Sequence, residues 1–527
     1  MDRRSFLQKS ALLMAGLGTS NILHPAILKA FEIEPDKNST FYDAEHIVIL
    51  MQENRSFDHA FGAMKGVRGF KDKRAFVKAD GQSIFFQKSP QGKYAIPTRL
   101  DIKNTKSTWM HDLPHSWNDQ ILARNDGKND MWIKEKASGH QAYKDLPLTL
   151  GYYNREDLPF YYQLADAFTI CDQYFCSSLT GTTPNRMFLW SGTIRKEKKG
   201  SVKPNVYNEH IGYERKNQVS WKTFPELLEE QNISWKIYQN EISLPKGLSY
   251  EQEAWLANFT DNPLEWVSQY NVKFSSGYYE YIPTLIQNLE NQIKNNPKQK
   301  EKLESAISEL KRDLVEFHPD NFKKLSPFHQ NLHKKAFAIN DGDPHFREIQ
   351  KEKDEKGEEI TIPKGDVLYQ FRKDVAQNTL PTVSWLVAPQ CFSDHPSAPW
   401  YGAWYISEIM NILTQNPEIW KKTIFIINYD ENDGYFDHIM PFTPPNNPSQ
   451  TPDMNGEDGV EFLSKKQLFM TTENLREKDK IEGPIGLGYR VPMIIASPWT
   501  RGGFVNSEVS DHTSVIQFLE HFIQKKF

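Results

Sequence analysis

At 527 residues, with 38% hydrophobic and 25% charged content, the chain is long enough to bury a large core and has a globular composition. Its 63 basic residues fall short of its 68 acidic ones, giving a formal charge of −5, so the basic excess expected of a nucleic-acid partner is absent. Three cysteines, Cys171, Cys176 and Cys391, are too few for a disulfide framework and lack the spacing of a zinc site. Either Cys171 pairs with Cys176 or all three are buried free thiols.

Asp2-Arg3-Arg4-Ser5-Phe6-Leu7-Gln8-Lys9 places paired arginines ahead of a short apolar run at 11–18, too short to span a bilayer stably. The pattern predicts a twin-arginine export signal over residues 1–30, cut near 26–30. It implies the twin-arginine translocation machinery as a partner and a periplasmic or secreted destination. That route carries folded proteins, so a cofactor could be loaded before export. Residues 40–527 then form the working domain, and no later stretch is apolar enough to span a membrane.

The domain opens on His46-Ile47-Val48-Ile49-Leu50-Met51, a β-branched apolar run that predicts a buried strand ending in Gln52-Glu53-Asn54. Loops and a short hairpin follow to about 105, then a weakly helical stretch at 110–124 and a helix at 159–168. Residues 170–179 lead into Thr180-Gly181-Thr182-Thr183-Pro184-Asn185-Arg186 and a helix at 187–192. A Gly-containing turn with free N–H groups at a helix start suits an anion. From about 200 to 380 the composition shifts to an insertion or cap, with one or two surface helices at 282–317 and a charge run at 351–357. The α/β pattern resumes with a strand at 382–387, a polar loop holding Ser393-Asp394-His395-Pro396, and a helix at 404–413. A strand at 423–429 runs straight into Asp430-Glu431-Asn432-Asp433-Gly434. A Pro- and Asn-rich loop (441–456), a strand (491–496) and a last helix (515–524) behind Asp511-His512-Thr513-Ser514 complete the chain.

Two strand exits share one grammar. Glu53 and Asn54 leave the first, Asp430 and Glu431 the other, and in a parallel sheet such exits converge where ligands bind. Gathering four oxygen donors, three of them anionic, is costly without compensation, and a metal cation supplies it. The alternative is a plain turn at Asn432-Asp433-Gly434. Thr182 reads either as a helix N-cap or as a nucleophile, a role that needs a cation or base to deprotonate it. Arg186 suits a phosphate oxygen. His115 and His395 lie in polar loops, where each is either structural or placed to hydrogen-bond a transferring phosphoryl group or leaving oxygen.

Four motifs, Gln52-Glu53-Asn54-Arg55-Ser56-Phe57-Asp58, Thr180-Gly181-Thr182-Thr183-Pro184-Asn185-Arg186, Tyr429-Asp430-Glu431-Asn432-Asp433-Gly434-Tyr435-Phe436-Asp437-His438 and Ser510-Asp511-His512-Thr513-Ser514, resemble the bacterial phospholipase C and acid phosphatase family of the alkaline phosphatase superfamily. The resemblance is closest to its phosphocholine-specific phospholipase C branch. It implies an α/β, alkaline-phosphatase-like sandwich with a central, mostly parallel β-sheet flanked by helices, plus a helical and loop insertion. It also implies Glu53, Asn54, Asp430, Glu431 and the Thr182 oxygen as ligands of one divalent metal ion (Ca, Mg, Mn, Fe or Zn). Thr182 becomes the nucleophile, with His115 and His395 assisting at the phosphate. The expected substrate is a phospholipid, phosphatidylcholine or sphingomyelin, met at a transient membrane surface and cleaved through a phospho-threonine intermediate. Choline recognition calls for an aromatic cage, and Trp117, Trp132, Tyr153 and Trp190 lie near the motifs. A periplasmic acid phosphatase acting on monoesters and a non-catalytic lipid- or surface-binding protein are the alternatives. Larger phosphocholine-specific members continue into β-rich C-terminal domains where this chain stops, so lipid specificity is less secure than phosphoryl chemistry.

Overall fold

The computed structural model describes residues 23–105, 110–195, 204–353, 357–398, 400–443, 462–463 and 481–526. The paired arginines of the expected export signal and most of the 441–456 loop lie outside the described residues. Seven strands form the central sheet: β1 (His46–Gln52), β2 (Thr169–Cys171), β3 (Trp235–Tyr238), β4 (Val383–Leu386), β5 (Thr423–Tyr429), β6 (Met493–Ala496) and β7 (Val505–Asn506). Their spatial order is β7-β2-β6-β5-β1-β4-β3. β1 lies parallel to β4 and β5, β4 to β3, and β2 to β7, while β6 runs antiparallel to both its neighbours. The sheet is therefore mostly parallel, with one reversed strand, and helices cover it: the α/β sandwich that the sequence predicts.

Side chains on β1 alternate between two cores, as the pleat requires. Ile47, Ile49 and Met51 enter one; Val48 and Leu50 enter the other. Six helices bear on the site: α1 (Pro25–Glu32), α2 (Trp117–Arg124), α3 (Pro159–Ala167), α4 (Thr182–Ser191), α5 (Gly402–Gln415) and α6 (His512–Lys526). α4 and α6 cover the first face; α1, α3 and α5 cover the second. Among the described residues no helix is long and apolar enough to cross a membrane.

Several boundaries differ from the expectations. α4 begins at Thr182, five residues before the predicted helix, because Pro184 sits in the first turn, where a backbone N–H has no intrahelical acceptor anyway. β3 arises inside the 200–380 region. A four-residue run interrupted by Lys236 is weak in sequence, yet it pairs with β4 and closes one edge of the sheet. The charge run at 351–357 begins as the strand Ile349–Lys353 of a surface hairpin with Glu359–Pro363. The last helix starts at His512, three residues early.

α1 lies within the stretch assigned to the export signal. Ala26, Ile27 and Ala30 are fully buried, the Ala30 carbonyl accepts from Trp420 Nε1 at 2.8 Å, and His24 N–H donates to Gln163 at 2.7 Å. The fold therefore includes residues 24–30, and a cut near 26–30 would open the core under α5. All three cysteines are free thiols.

Candidate active site

β1 and β5 are neighbours in register, Gln52 opposite Tyr429, so Glu53 and Asp430 leave the sheet side by side at its carboxyl edge. Asp430 N–H donates to Gln52 O at 3.1 Å and Asn54 N–H to Asp430 Oδ1 at 3.0 Å. Glu53 N–H donates to Ser393 O at 2.8 Å, which ties the His395 loop to the same edge. Three residues at these exits take left-handed backbone angles: Asn54 (φ 46°), Asp433 (53°) and Asp394 (68°). Asn and Asp tolerate that region best, and such strain clusters at functional sites.

Glu53, Asn54, Asp430 and Glu431 are all fully buried. Among the described residues, Glu53 Oε2, both amide atoms of Asn54, Asp430 Oδ2 and Glu431 Oε1 have no hydrogen-bond partner. Burial drives all three carboxyls well above the usual range, and mutual repulsion adds to it: Asp261 on Glu53, Glu53 on Asp430, and Asp430 with Asp433 on Glu431. Arg186 is the cation within reach. Its guanidinium lies 2.7 Å from Glu53 Oε1, 3.0 Å from Asp261 Oδ2 and 3.3 Å from Asp430 Oδ2. One guanidinium against the three buried carboxylates of Glu53, Asp261 and Asp430 leaves an anionic excess. Unpartnered hard oxygens under such an excess fit a cation.

This placement differs from the phosphate role expected of Arg186. Its side chain is buried, and its remaining donors point at the carbonyls of Met51, Gln52 and Asp261. One turn into α4, the guanidinium reaches the strand ends and is committed to them.

Thr182 is the first residue of α4, with Gly181 at the cap position, so it is not the N-cap itself. Its hydroxyl is half-buried and makes no hydrogen bond among the described residues. Four residues before Arg186, it shares that side chain's helix face. The turn is folded by Asn185, whose amide accepts from Ser178 N–H and donates to the carbonyls of Ser178, Thr180 and Gly181. Gly181 lets the turn pack closely: a Cβ there would sit 3.2 Å from His115 Cδ2 and 3.1 Å from Asn208 Nδ2, so those side chains would have to shift.

His115 Nδ1 lies 2.6 Å from Leu113 O; a carbonyl only accepts, so Nδ1 carries a proton. Its Nε2 is 3.7 Å from Glu431 Oε1, and Leu113 N–H donates to Asp433 Oδ1 at 2.6 Å, fixing this loop to the β5 exit. His395 Nδ1 accepts from Ser397 N–H at 3.2 Å, so the neutral ring holds its proton at Nε2. Burial, reinforced by the charges of His115, Arg55 and Arg186, keeps His395 well below the ordinary imidazole range and hence neutral. Beside it, fully buried Asp394 accepts from the hydroxyls of Tyr161 and Tyr429 and anchors the loop.

Sequence reasoning missed Asp261. It comes from the 200–380 region, is fully buried between Arg186 and Glu53, and burial pushes its carboxyl up to about 7. Its segment is strained, with Phe259 at φ 56° and Thr260 at 65°, and the Phe259 ring stacks edge-on 5.1 Å from His395. Only the polar residues Asn258, Asp261 and Asn262 hint at this in sequence. His512 was likewise quoted without a role. Its Nε2 donates to Tyr429 O at 3.1 Å, while Nδ1 has no hydrogen-bond partner among the described residues.

A second acidic group lies further along the same exits. Asp58, Asp437 and His438 are the group of three whose ligand atoms come within 4.8 Å of one another among the described residues. Arg490 already closes it, at 2.9 Å from Asp437 Oδ1 and 3.0 Å from Asp58 Oδ1, and His438 Nδ1 meets Asp58 Oδ2 at 2.6 Å.

A cavity of about 260 Å³ opens beside Gly181 and His115, lined also by Asp112, Asp119, Tyr207 and Glu209. The four aromatics considered for a choline cage, Trp117, Trp132, Tyr153 and Trp190, are all buried in the cores. Near the site, Trp400 and Tyr435 are occupied by the chain's own Arg55, 4.2 Å from the Trp400 ring centroid.

Residues 44–349 and 330–524 match the Phosphoesterase family. The chain belongs to the phosphoesterase family. This phosphoesterase is 35% identical over 528 residues to the non-hemolytic phospholipase C of Burkholderia pseudomallei, covering 98% of the chain and 61% of that protein. It is 33% identical over 526 residues to the non-hemolytic phospholipase C of Pseudomonas aeruginosa, covering 98% and 60%. Phospholipase C A of Mycobacterium tuberculosis is 34% identical over 530 residues, covering 98% and 80%. The phosphoesterase thus spans about three fifths of the first two relatives.

Proposed function

We propose that this phosphoesterase is a metal-dependent phosphodiesterase of the phospholipase C type, exported by the twin-arginine route. In this reading it hydrolyses phosphatidylcholine-type lipids to diacylglycerol and phosphocholine through a phospho-threonine intermediate. The observation that carries the reading is the set of unpartnered buried oxygens on Glu53, Asn54, Asp430 and Glu431, at strand exits that Arg186 ties to the helix headed by Thr182. Those four residues, with the Thr182 oxygen, would hold one divalent cation, which when bound supplies Lewis acidity at the phosphate and lowers the pKa of the hydroxyl.

The chain's own groups do the rest. Thr182 Oγ, its proton already released to solvent, attacks phosphorus in line as the alkoxide while the bond from phosphorus to the glycerol oxygen breaks. The leaving alkoxide takes a proton from His115, whose ring is oriented by Leu113 and faces Glu431. Neutral His395 offers Nε2–H to a phosphoryl oxygen without adding charge. Water then cleaves the phosphocholinyl-threonine, with His115 now accepting the proton. Asp112, Asp119 and Glu209 give the neighbouring cavity an acidic lining that favours a cationic head group.

The test is a substrate panel of phosphatidylcholine, sphingomyelin, p-nitrophenyl phosphorylcholine and p-nitrophenyl phosphate, each with and without chelator. Chelator-sensitive release of phosphocholine, lost in Thr182→Ala, is expected. Preferential turnover of the monoester would instead make the protein a phosphatase.

A further inference from the structure

Residues 65–99 stand apart in charge. They carry nine Lys or Arg against two Asp and no Glu, in a chain whose formal charge is −5. Lys65, Lys71, Lys73, Lys88 and Lys93 are exposed and have no carboxylate within 4.0 Å among the described residues. The same stretch concentrates apolar surface: Phe76, Val77, Phe86, Tyr94 and Ile96 are each 40–59% exposed.

These side chains belong to one lobe. Ile84 N–H donates to Phe76 O at 2.9 Å, and the strand Gln87–Lys88 pairs with Tyr94–Ala95. Lys78 Nζ donates to Phe86 O at 2.6 Å and lies 5.6 Å from the Tyr94 ring centroid, joining the apolar side chains across the hairpins. The base of the lobe sits beside the candidate active site. Ile84 is buried with Leu179, three residues before Thr182, and with Phe436, in the loop that follows Glu431.

Exposed aromatic and aliphatic side chains amid unpaired lysines match the two attractions that hold a protein on a bilayer surface: burial in the acyl boundary and attraction to anionic head groups. We propose that residues 65–99 form the surface by which this protein seats on an anionic phospholipid membrane, bringing the neighbouring site to its lipid; this rests on the phospholipid reading above. The excess of basic over acidic side chains favours a membrane over a second copy of this acidic protein, which would offer the same positive lobe.

The test is sedimentation with vesicles of phosphatidylcholine, with and without phosphatidylglycerol, in chelator so that no lipid is consumed. Two triple variants are compared with the natural chain: Lys73→Glu with Lys88→Glu and Lys93→Glu, and Phe76→Ser with Phe86→Ser and Ile96→Ser. The charge variant is expected to lose about a hundredfold in partitioning to phosphatidylglycerol vesicles at low salt. The apolar variant should lose at least about tenfold even at high salt. Both should turn over soluble p-nitrophenyl phosphorylcholine at the natural rate, which reports an intact fold and site. Unchanged vesicle partitioning in both variants overturns the proposal, as does a dimer in light scattering that the substitutions dissolve without any vesicle binding. If the natural chain binds vesicles through the lobe yet leaves both diesters intact, the surface stands and the enzymatic reading falls.

Discussion

Two groups of buried acids hang from the exits of β1 and β5, and they meet the same electrostatic problem in opposite ways. Asp58 and Asp437 lie close together with His438, and Arg490 saturates them with charged hydrogen bonds, its remaining donors going to the carbonyls of Arg68 and Asp172. Glu53, Asp430 and Glu431 sit nearer the strand ends. Glu53 and Asp430 share the Arg186 guanidinium with Asp261, Glu431 has His115 Nε2 at 3.7 Å, and oxygens of all three stay unbonded among the described residues. Closeness of ligand atoms therefore singles out the group that an arginine already closes. Arg490 has spent the valence of the tight cluster, while the looser one retains the capacity to bind. A charge buried with its partner is structure; a charge buried without one is a candidate for binding.

Breaking the closed group should have the largest effect on the fold. Arg490→Met strands two buried carboxylates, and urea unfolding is expected to show a loss of about 3–5 kcal/mol. Glu431→Gln should do the reverse. It removes one of the crowded negative charges, so stability in chelator is expected to hold or rise, while phosphodiester hydrolysis falls by roughly a hundredfold or more, or about 3 kcal/mol of activation free energy. If both variants lose stability equally, the contrast between the groups fails. Metal itself gives the next measure. At a cation concentration of about a hundred times its Kd, the natural chain should gain about 2.7 kcal/mol in urea unfolding, and Asp430→Asn should gain far less. A cation that still stabilises Asp430→Asn but no longer stabilises Asp58→Asn would reassign the site to the Arg490 group.

The smallest effect tests a third solution, burial in the neutral form. His333 lies far along the chain from either group, with Nδ1 bonded to Tyr270 O, and burial lowers its pKa from 6.5 to about 4. The unfolded chain takes up that proton first as pH falls. The contribution of His333 is therefore complete above about pH 6.5 and is lost progressively between 6.5 and 4, amounting to about 2 kcal/mol at pH 5. Comparing His333→Gln with the natural chain in urea at pH 7 and pH 5 should remove that much of the pH dependence.

Much of the fold was legible because its strands are long apolar runs with abrupt polar ends. β5 spans the residues that the pattern assigns, and the exits carrying Glu53 and Asp430 prove to be adjacent. What escaped was set by tertiary structure. β3 is four residues long with a lysine inside it, and only pairing with β4 makes it a strand. Asp261 is an ordinary acid in an ordinary polar stretch until Phe259 and Thr260 bend the chain toward Arg186. Arg186 was read from its place in a phosphate-like turn, but a side chain one helical turn in reaches the carboxylates at the strand ends instead. The start of the fold at α1 was hidden because its small apolar residues serve equally as the end of a signal and as a packed helix face.

The single reversed strand has a consequence in time as well as in space. Strands that run with the sheet deliver residues to the site pole from where they finish; β6 delivers them from where it begins, and Arg490 stands just before that point. The acids on β1 and β5 are thus synthesised long before the cation that pacifies Asp58 and Asp437. Until residue 490 has left the ribosome, a nascent chain cannot settle this pole without burying bare charge.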